Sequence, residues 1–223
     1  MPPKFRVDFY FDLFSPYSRL GFEILTRYAP QWPIDLHLRP FMLALVFKTV
    51  KHTSPALQSP AKPKHFKKDI FRVAQHYGVT MKFPDNFSKL ITTKSTVYAN
   101  RVILAVEEKQ PEKNVTREFY NRVWIEDRNI TDREDFVEVL TKCGFSDSET
   151  SSLIELSKDE RVKQRLVQNT KDALQTGAFG APWTIVHTAN GGKEAFFGSD
   201  RMPIIADIIG AEYRGPMREL AKL

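Results

Sequence analysis

The chain has 223 residues, which is enough for one large domain or for one domain interrupted by another. Its formal net charge of +6 allows an anionic ligand, and no apolar run approaches the roughly 20 residues needed to span a membrane. The single cysteine, Cys143, excludes an intrachain disulfide and Cys-x-x-Cys redox chemistry. The N-terminal sequence has neither a secretory nor a transit pattern, so we expect a chain that stays inside the cell.

The first predicted elements are a strand, a helix and a second strand. Residues 6–12 alternate apolar and polar side chains with the period of a strand. Ser15 is then a suitable N-cap, and Pro16 occupies the first helical position, where its missing N–H costs nothing. A helix to about Tyr28 and an alternating strand over residues 33–40 complete a βαβ unit, so we expect two parallel strands with a right-handed crossover.

The region between about Pro55 and Gly177 is predicted to be helical. One helix places four apolar residues on one face and ends at Gly78; these residues are Phe66, Ile70, Val73 and Tyr77. Three capping boxes predict further helix starts, at Thr131-x-x-Glu134, Ser146-x-x-Glu149 and Ser157-x-x-Glu160. This segment is therefore predicted to be a separate helical domain.

The strand pattern returns near the C-terminus. Residues 182–188 and 193–198 flank an Asn-Gly-Gly turn and predict an antiparallel hairpin, which a capped helix ending at Gly210 follows. The predicted fold is α/β: a thioredoxin fold (βαβ…ββα) with a large all-helical domain inserted. We assign residues 1–55 and 177–223 to the two parts of the thioredoxin-like domain, and residues 56–176 to the insertion.

Two segments should meet at the functional site of such a fold. Ser15-Pro16-Tyr17-Ser18 has the outline of a glutaredoxin-type Cys-Pro-Tyr-Cys turn with both sulfur atoms replaced by hydroxyls. The loop GAFGAPW, residues 177–183, should lie beside it. Pro182 could be an ordinary trans residue at a strand start, but the small residues before it leave room for close backbone approach and favour a cis Ala181-Pro182 bond.

Three motifs together resemble the kappa class of glutathione transferases: LFSPYSRLGFEIL, GAFGAPWTIV and FFGSDRM. These enzymes are a thioredoxin-fold family with a helical insertion, related to the DsbA oxidoreductases and to 2-hydroxychromene-2-carboxylate isomerases. The resemblance implies that glutathione binds with its thiolate beside Ser15, next to Pro16 and Tyr17. It also implies pairing of the glutathione backbone with the main chain of Ala181, before Pro182.

The resemblance assigns the two ends of glutathione as well. Ser199 and Asp200 should meet the γ-glutamyl end, and Lys62 falls where the family has a basic contact to the glycyl end. This chain departs from the mammalian pattern at His52, where those members have asparagine, and at Arg19, where they have tryptophan. The first change affects a predicted glutathione contact, and the second could alter the pocket for the second substrate.

A turn of this redox type that lacks thiols can still stabilise the thiolate of a ligand. A helix N-terminus carries free N–H groups and a partial positive charge, which stabilise a thiolate whether it belongs to the protein or to a ligand. Lowering a thiol pKa by about two units, from about 8.5, needs only ~2.7 kcal/mol, comparable to one charge-assisted hydrogen bond with a helix-end contribution. Ser15 would supply that bond, and Ser18 removes the resolving thiol.

The expected function is therefore conjugation of glutathione to small hydrophobic electrophiles, with peroxidase activity on organic hydroperoxides as a further activity. Glutathione is a co-substrate, no cofactor or metal is expected, and the resemblance implies a homodimer. We expect neither nucleic acid nor a membrane as partner. Two alternatives are a glutathione-dependent isomerase of the 2-hydroxychromene-2-carboxylate type and a catalytically silent thioredoxin-like binding module.

Each candidate residue also has an ordinary structural explanation. Ser15 and Asp200 fit helix caps, Tyr17 a surface aromatic residue, and His52 a loop residue. Cys143 precedes a glycine at a predicted helix end and is interpreted as structural. The basic region from Lys48 to Lys68 is interpreted as a solvated surface, with a binding role for one or two lysines as the alternative.

The last three residues, Ala221-Lys222-Leu223, are a variant of the Ser-Lys-Leu peroxisomal address. We therefore expect peroxisomal localisation, with the mitochondrion as the alternative that the resemblance also allows.

Overall fold

The computed structural model describes residues 4–59 and 61–221, and these form a four-stranded mixed sheet. The strands are β1 (Phe5–Phe11), β2 (Ile34–Pro40), β3 (Trp183–His187) and β4 (Lys193–Phe197), in the spatial order β2-β1-β3-β4. β1 pairs in parallel with β2 and antiparallel with β3, and β3 pairs antiparallel with β4. The predicted βαβ unit and hairpin are both confirmed.

Ten α-helices surround and extend this sheet within the described residues. They are α1 (Pro16–Tyr28), α2 (Leu43–Thr49), α3 (Ala61–Tyr77), α4 (Phe87–Thr93), α5 (Val97–Lys109), α6 (Thr116–Trp124), α7 (Arg133–Lys142), α8 (Asp147–Leu156), α9 (Glu160–Gln175) and α10 (Met202–Ile208). Short 3₁₀ helices cover Pro55–Leu57 and Arg218–Leu220. Eight helices, α2 to α9, separate β2 from β3 in the described chain, and seven of them, α3 to α9, fall within the predicted insertion; the domain boundaries at 55/56 and 176/177 stay predictions.

The predicted helix starts are only partly confirmed. Ser146 caps α8, and the Glu149 carboxylate accepts a hydrogen bond from the Ser146 N–H at 2.8 Å. The box at Thr131 is wrong by one residue, because Asp132 caps α7 with Asp135 as its partner. The box at Ser157 is also wrong. That serine is fully buried and donates to the Ile154 carbonyl, while Asp159 caps α9.

One hydrophobic core connects the sheet to the inserted helices. Phe11 of β1 and Phe22 of α1 both contact Tyr120 of α6, with ring centroids 6.0 and 5.5 Å apart. The Trp124 indole N–H donates to the Leu13 carbonyl at 2.9 Å. Arg19 is buried and donates to the Tyr120 carbonyl at 2.7 Å, so this arginine fastens α1 to the insertion.

Two sequence expectations concern localisation and the membrane. Lys222 and Leu223 lie outside the described residues, so the C-terminal address stays a prediction. None of the helices within residues 4–59 and 61–221 combines the length and apolar character that a membrane span needs.

Candidate active site

Ser15 lies where β1 leads into α1, and its hydroxyl is held on both sides. The residue is the extended N-cap of α1, and its Oγ accepts a hydrogen bond from the Ser18 N–H at 3.1 Å. The same hydroxyl donates to the Ala181 carbonyl at 3.1 Å. Pro16 follows at the first helical position, which fixes the backbone of this turn. The hydroxyl is therefore positioned between the helix end and the loop before β3.

The first turn of α1 carries no acidic residue. The Tyr17 N–H, at the second helical position, has no hydrogen-bond partner among the described residues. The partial positive charge of the helix start is thus not neutralised by a side chain of the first turn. Ser18 is fully buried beneath the turn and does not reach solvent. An anion next to Ser15 would meet a free N–H, a hydroxyl and the helix dipole together.

Asp12 holds this turn in place. One carboxylate oxygen accepts from the Phe14 N–H at 2.9 Å, and the other accepts from the Thr96 hydroxyl at 2.9 Å and the Leu43 N–H at 3.3 Å. The Asp12 carbonyl accepts from the Ser15 N–H at 3.0 Å. Burial raises the pKa of the Asp12 carboxyl, and its hydrogen bonds offset part of that increase. This residue connects the serine turn to α2 and to the start of α5.

The loop before β3 faces the serine as the fold predicts. The Ala181-Pro182 peptide bond is cis, which confirms the prediction of a cis bond over an ordinary trans proline at a strand start. A Cβ atom on Gly180 would lie 2.7 Å from the Phe197 ring, so a larger residue there would have to displace that ring. Ala181 itself is buried and presents its carbonyl to Ser15.

A cavity of about 700 Å³ opens at this junction. Most of its wall is apolar, with aromatic side chains from the serine turn, α2, α3, α4 and the β3–β4 region; these are Phe14, Tyr17, Phe47, Phe66, Phe87, Phe179 and Phe197. Two basic side chains, Lys48 and Lys94, also line it. Such a wall suits a mostly apolar ligand with a few polar contacts.

Five predicted site residues line this cavity: Ser15, Pro16, Tyr17, His52 and Ala181. The Tyr17 hydroxyl donates to the Asp69 carboxylate of α3 at 2.5 Å. Burial and Asp69, followed by the charge of Asp200, raise the pKa of the Tyr17 phenol. Tyr17 is therefore a neutral wall residue and not an ionised nucleophile. His52 is exposed, with its ring 5.4 Å from that of Phe47.

Four other predicted residues do not line the cavity: Lys62, Pro182, Ser199 and Asp200. Lys62, in the first turn of α3, is exposed and pairs with Gln58. Ser199 is buried, and its carbonyl accepts from the Tyr77 hydroxyl at 2.8 Å. The Asp200 side chain is 61% exposed. Its carboxylate lies 3.5 Å from the Arg201 guanidinium, and its charge contributes to the raised pKa of both Tyr17 and Tyr77, after the larger effect of burial.

Three sequence expectations concern residues around this site. Arg19 does not line the cavity, because it is buried against α6. Asp200 does not cap the last helix, since α10 begins after Arg201 without a side-chain cap. Burial raises the pKa of the Cys143 thiol to about 11, which fits the structural interpretation.

The described residues contain no group of three or more potential metal ligands among His, Cys, Asp and Glu.

The sequence did not point to Asp12 or Lys94 as parts of the site, and Lys48 belonged only to the basic region from Lys48 to Lys68, for which binding was the alternative interpretation. Asp12 had a signal, because an aspartate at a strand end often accepts from the backbone two residues later. Lys94 had none and Lys48 had only its place in that basic region, since the position of both lysines depends on how α2, α4 and α5 pack against the sheet.

Comparisons with known proteins agree with this geometry. The family model of the DSBA-like thioredoxin domain matches residues 6–210. Glutathione S-transferase kappa 1 of Rattus norvegicus is 37% identical over 97% of this chain and 96% of its own. The Homo sapiens protein of that name is 34% identical over 95% and 93%.

A solved structure of a 2-hydroxychromene-2-carboxylate isomerase covers 92% of this chain and 94% of its own, with a TM-score of 0.72 at 23% identity. This likeness shows the fold. The chain therefore belongs to the DsbA-like thioredoxin-domain family and, within it, to the kappa class of glutathione S-transferases.

Proposed function

We propose that this enzyme binds glutathione with its sulfur beside Ser15 and conjugates it to small hydrophobic electrophiles. The observation that carries the proposal is the Ser15 hydroxyl, held at the start of α1 and against the Ala181 carbonyl at the wall of an apolar cavity. A helix start without acidic residues stabilises a thiolate. Membership of the kappa class supports glutathione as the thiol.

The serine proton has to change partner for this role. In the structure Ser15 donates to the Ala181 carbonyl. When a thiolate binds, the hydroxyl would rotate and donate to sulfur, exchanging a neutral hydrogen bond for a stronger charge-assisted one. The Ser18 N–H would stay on the Ser15 oxygen and polarise the hydroxyl as a donor. The rotation needs no backbone movement.

The other predicted contacts would orient glutathione along the junction. The Asp200 carboxylate, which lies 3.5 Å from the Arg201 guanidinium, would exchange this exposed ion pair for the ammonium group of the γ-glutamyl end, with Ser199 beside it. Lys62 and His52 are both exposed and would contact the other end. Ala181 would pair with the cysteinyl backbone. This arrangement leaves the aromatic part of the cavity for the electrophile.

Product mass tests the reaction. With glutathione and chlorodinitrobenzene, the sulfur should form a bond to the ring carbon that carries chlorine, and chloride should leave. A conjugate heavier than the electrophile is expected from the enzyme. Formation of an isomer of the same mass from a suitable substrate would support the isomerase, and no glutathione affinity by calorimetry would support the binding module. If two glutathione molecules were oxidised to the disulfide while an organic hydroperoxide was reduced to its alcohol and water, the peroxidase activity would be added.

Absorbance near 240 nm tests the role of Ser15 directly, because a thiolate absorbs there and a thiol does not. Titration of the glutathione complex should show an apparent pKa about two units below 8.5. The Ser15→Ala complex should shift back toward the free value. An unchanged titration in that variant would contradict the assignment.

A homodimer and peroxisomal localisation complete the proposal. Sedimentation velocity would test the first. For the second, a reporter carrying Ala221-Lys222-Leu223 should co-localise with a peroxisomal marker, and deletion of Leu223 should make the full chain cytosolic. Mitochondrial localisation that survives the deletion would refute it.

A further inference from the structure

The cavity combines exposed apolar side chains with an excess of positive charge. Leu57, Phe179 and Phe197 all line it, although they remain 42, 44 and 43% exposed. Large apolar side chains exposed together generally mark a surface that a ligand covers. Phe179 and Phe197 form an aromatic pair, with ring centroids 4.6 Å apart. These side chains favour a flat apolar body in the ligand.

This aromatic pair lies close to the reacting position. Phe197 packs against Gly180, and the next residue, Ala181, accepts the hydrogen bond from Ser15. A ring covering Phe179 and Phe197 would therefore lie near the sulfur of glutathione held at Ser15.

The basic side chains at the cavity have little to neutralise them. Lys48, in the last turn of α2, forms no ion pair or side-chain hydrogen bond within residues 4–59 and 61–221. Lys94, between α4 and α5, reaches Asp132 only at 3.9 Å and the Thr131 hydroxyl at 3.4 Å. Both lysines are exposed, so such weak contacts leave their ammonium groups free to turn toward a ligand.

Acidic side chains do not balance these lysines. Of the lining residues that the structure describes, Asp12 alone is acidic, and its carboxylate is buried with three hydrogen bonds from Phe14, Leu43 and Thr96. The predicted glutathione contacts, moreover, include no residue of the α4–α5 segment that carries Lys94. A charge at this part of the cavity is therefore available to the second substrate.

We propose that the preferred acceptor is an amphipathic anion, with an electrophilic aromatic body on Phe179 and Phe197 and a carboxylate held by Lys48 and Lys94. The inference rests on the proposed conjugation reaction and adds a charge requirement to it. Lysines at an open rim act as point charges, so they should favour anionic acceptors without excluding neutral ones.

The test uses 4-chloro-3,5-dinitrobenzoate and its methyl ester. Both accept the thiolate at the carbon that carries chlorine and release chloride, but only the first is an anion. Each kcat/KM is divided by the uncatalysed rate constant with glutathione, which removes their different intrinsic reactivity. The ratio of the two corrected values reports recognition of the carboxylate.

In the wild-type enzyme this ratio should favour the anion and fall as salt is raised. Lys48→Met and Lys94→Met should each lower it about 3-fold, and the double variant about 10-fold, as expected for exposed charges. Lys48→Arg should retain it. Lys89→Met is the matched control, because Lys89 is an exposed lysine of α4 that does not line the cavity.

Two results would overturn the inference while leaving conjugation intact. One is an unchanged ratio in the double variant. The other is an equal loss for both acceptors with a raised glutathione KM, which would assign the lysines to glutathione. If the wild-type enzyme conjugates neither acceptor nor chlorodinitrobenzene, the proposed function itself fails and the inference fails with it.

Discussion

Two helices of this enzyme begin at a serine, yet the two ends are built for different purposes. At α8, Ser146 is exposed, and Glu149 in the first turn accepts from its N–H and from its hydroxyl, both at 2.8 Å. At α1, Ser15 is buried, and the position three residues later is Ser18 in place of an acid. Both serines accept from a backbone N–H of the first turn.

The difference is one of charge. Glu149 supplies the negative group that a helix start attracts, so α8 is satisfied within its own sequence. The α1 start supplies hydrogen-bond donors without that group and lies at a cavity. A helix start that is incomplete and accessible is one that a ligand anion can complete.

Removing the Ser15 hydroxyl should produce the largest change. We expect Ser15→Ala to lose about 10- to 100-fold in turnover, as for one hydrogen bond to a charged group, while most glutathione affinity remains. Stability should fall by about 1 kcal/mol because a cap is lost. Steady-state kinetics with chlorodinitrobenzene and thermal unfolding measure the two effects. Unchanged conjugation would return Ser15 to the role of an ordinary cap.

Asp200→Asn tests whether this exposed carboxylate serves the ligand. Asp200→Asn should raise the glutathione KM about 10-fold, with turnover changed less than about 2-fold, because the bond is charge-assisted but partly solvated. Asp207→Asn, which removes an exposed carboxylate of α10, is the matched control. A glutathione KM equal in both variants would remove Asp200 from the site.

The same cap deletion at α8 should affect stability alone. Ser146→Ala is expected to lower the free energy of unfolding by about 1 kcal/mol, similar to the effect at α1. Its kcat and glutathione KM should match those of the wild type. If conjugation fell as it does in Ser15→Ala, the loss at Ser15 would reflect general destabilisation and the contrast between the two helices would disappear.

The smallest effect should be a pH dependence at α8. Hydrogen bonds from the Ser146 backbone, the Ser146 side chain and Gln110 lower the pKa of Glu149 from 4.5 to about 2. A folded-state pKa below the unfolded one stabilises the protein above the unfolded value, and the contribution disappears as pH falls through the folded value. The Tm difference between the wild type and Glu149→Gln should therefore shrink between pH 4.5 and 2. A difference independent of pH would contradict the capping-box assignment.

Sequence patterns predicted the strands and helices that depend mainly on neighbouring residues. The alternation of Val7, Phe9 and Phe11 predicted β1, and all three are fully buried. The intervening Asp8 and Tyr10 are buried as well, because β1 is an inner strand and Tyr10 belongs to a second core cluster that includes residues of α2 and α9. The alternation of residues indicates that β1 is a strand. Its inner position in the sheet depends on pairing with β3, which lies far along the chain.

Some helix caps and part of the cavity could not be predicted from neighbouring residues alone. Asp159 lies two residues after Ser157, and the burial of the serine decided between these competing caps. The sequence suggested that Arg19 could alter the second-substrate pocket, but in the structure Arg19 of α1 donates a hydrogen bond to the Tyr120 carbonyl instead. Ser15, Tyr17 and Ala181 were located through the motifs of the fold. The cavity wall around Lys48 and Lys94 was not, because α2, α4 and α5 meet there only in the folded protein.

The three hydrogen bonds on the Asp12 carboxylate also bear on how the protein opens. They join the Phe14 amide, the start of α2 and the start of α5 to one buried group. Releasing any one of these segments would leave the buried Asp12 carboxyl group with fewer hydrogen bonds, so they should move as a single cooperative unit. The Phe14 amide should then exchange its hydrogen only in openings that also release α5. Substitutions in these segments would be non-additive, so the cavity wall formed by α2 and α5 should tolerate changes of side chain better than changes of backbone.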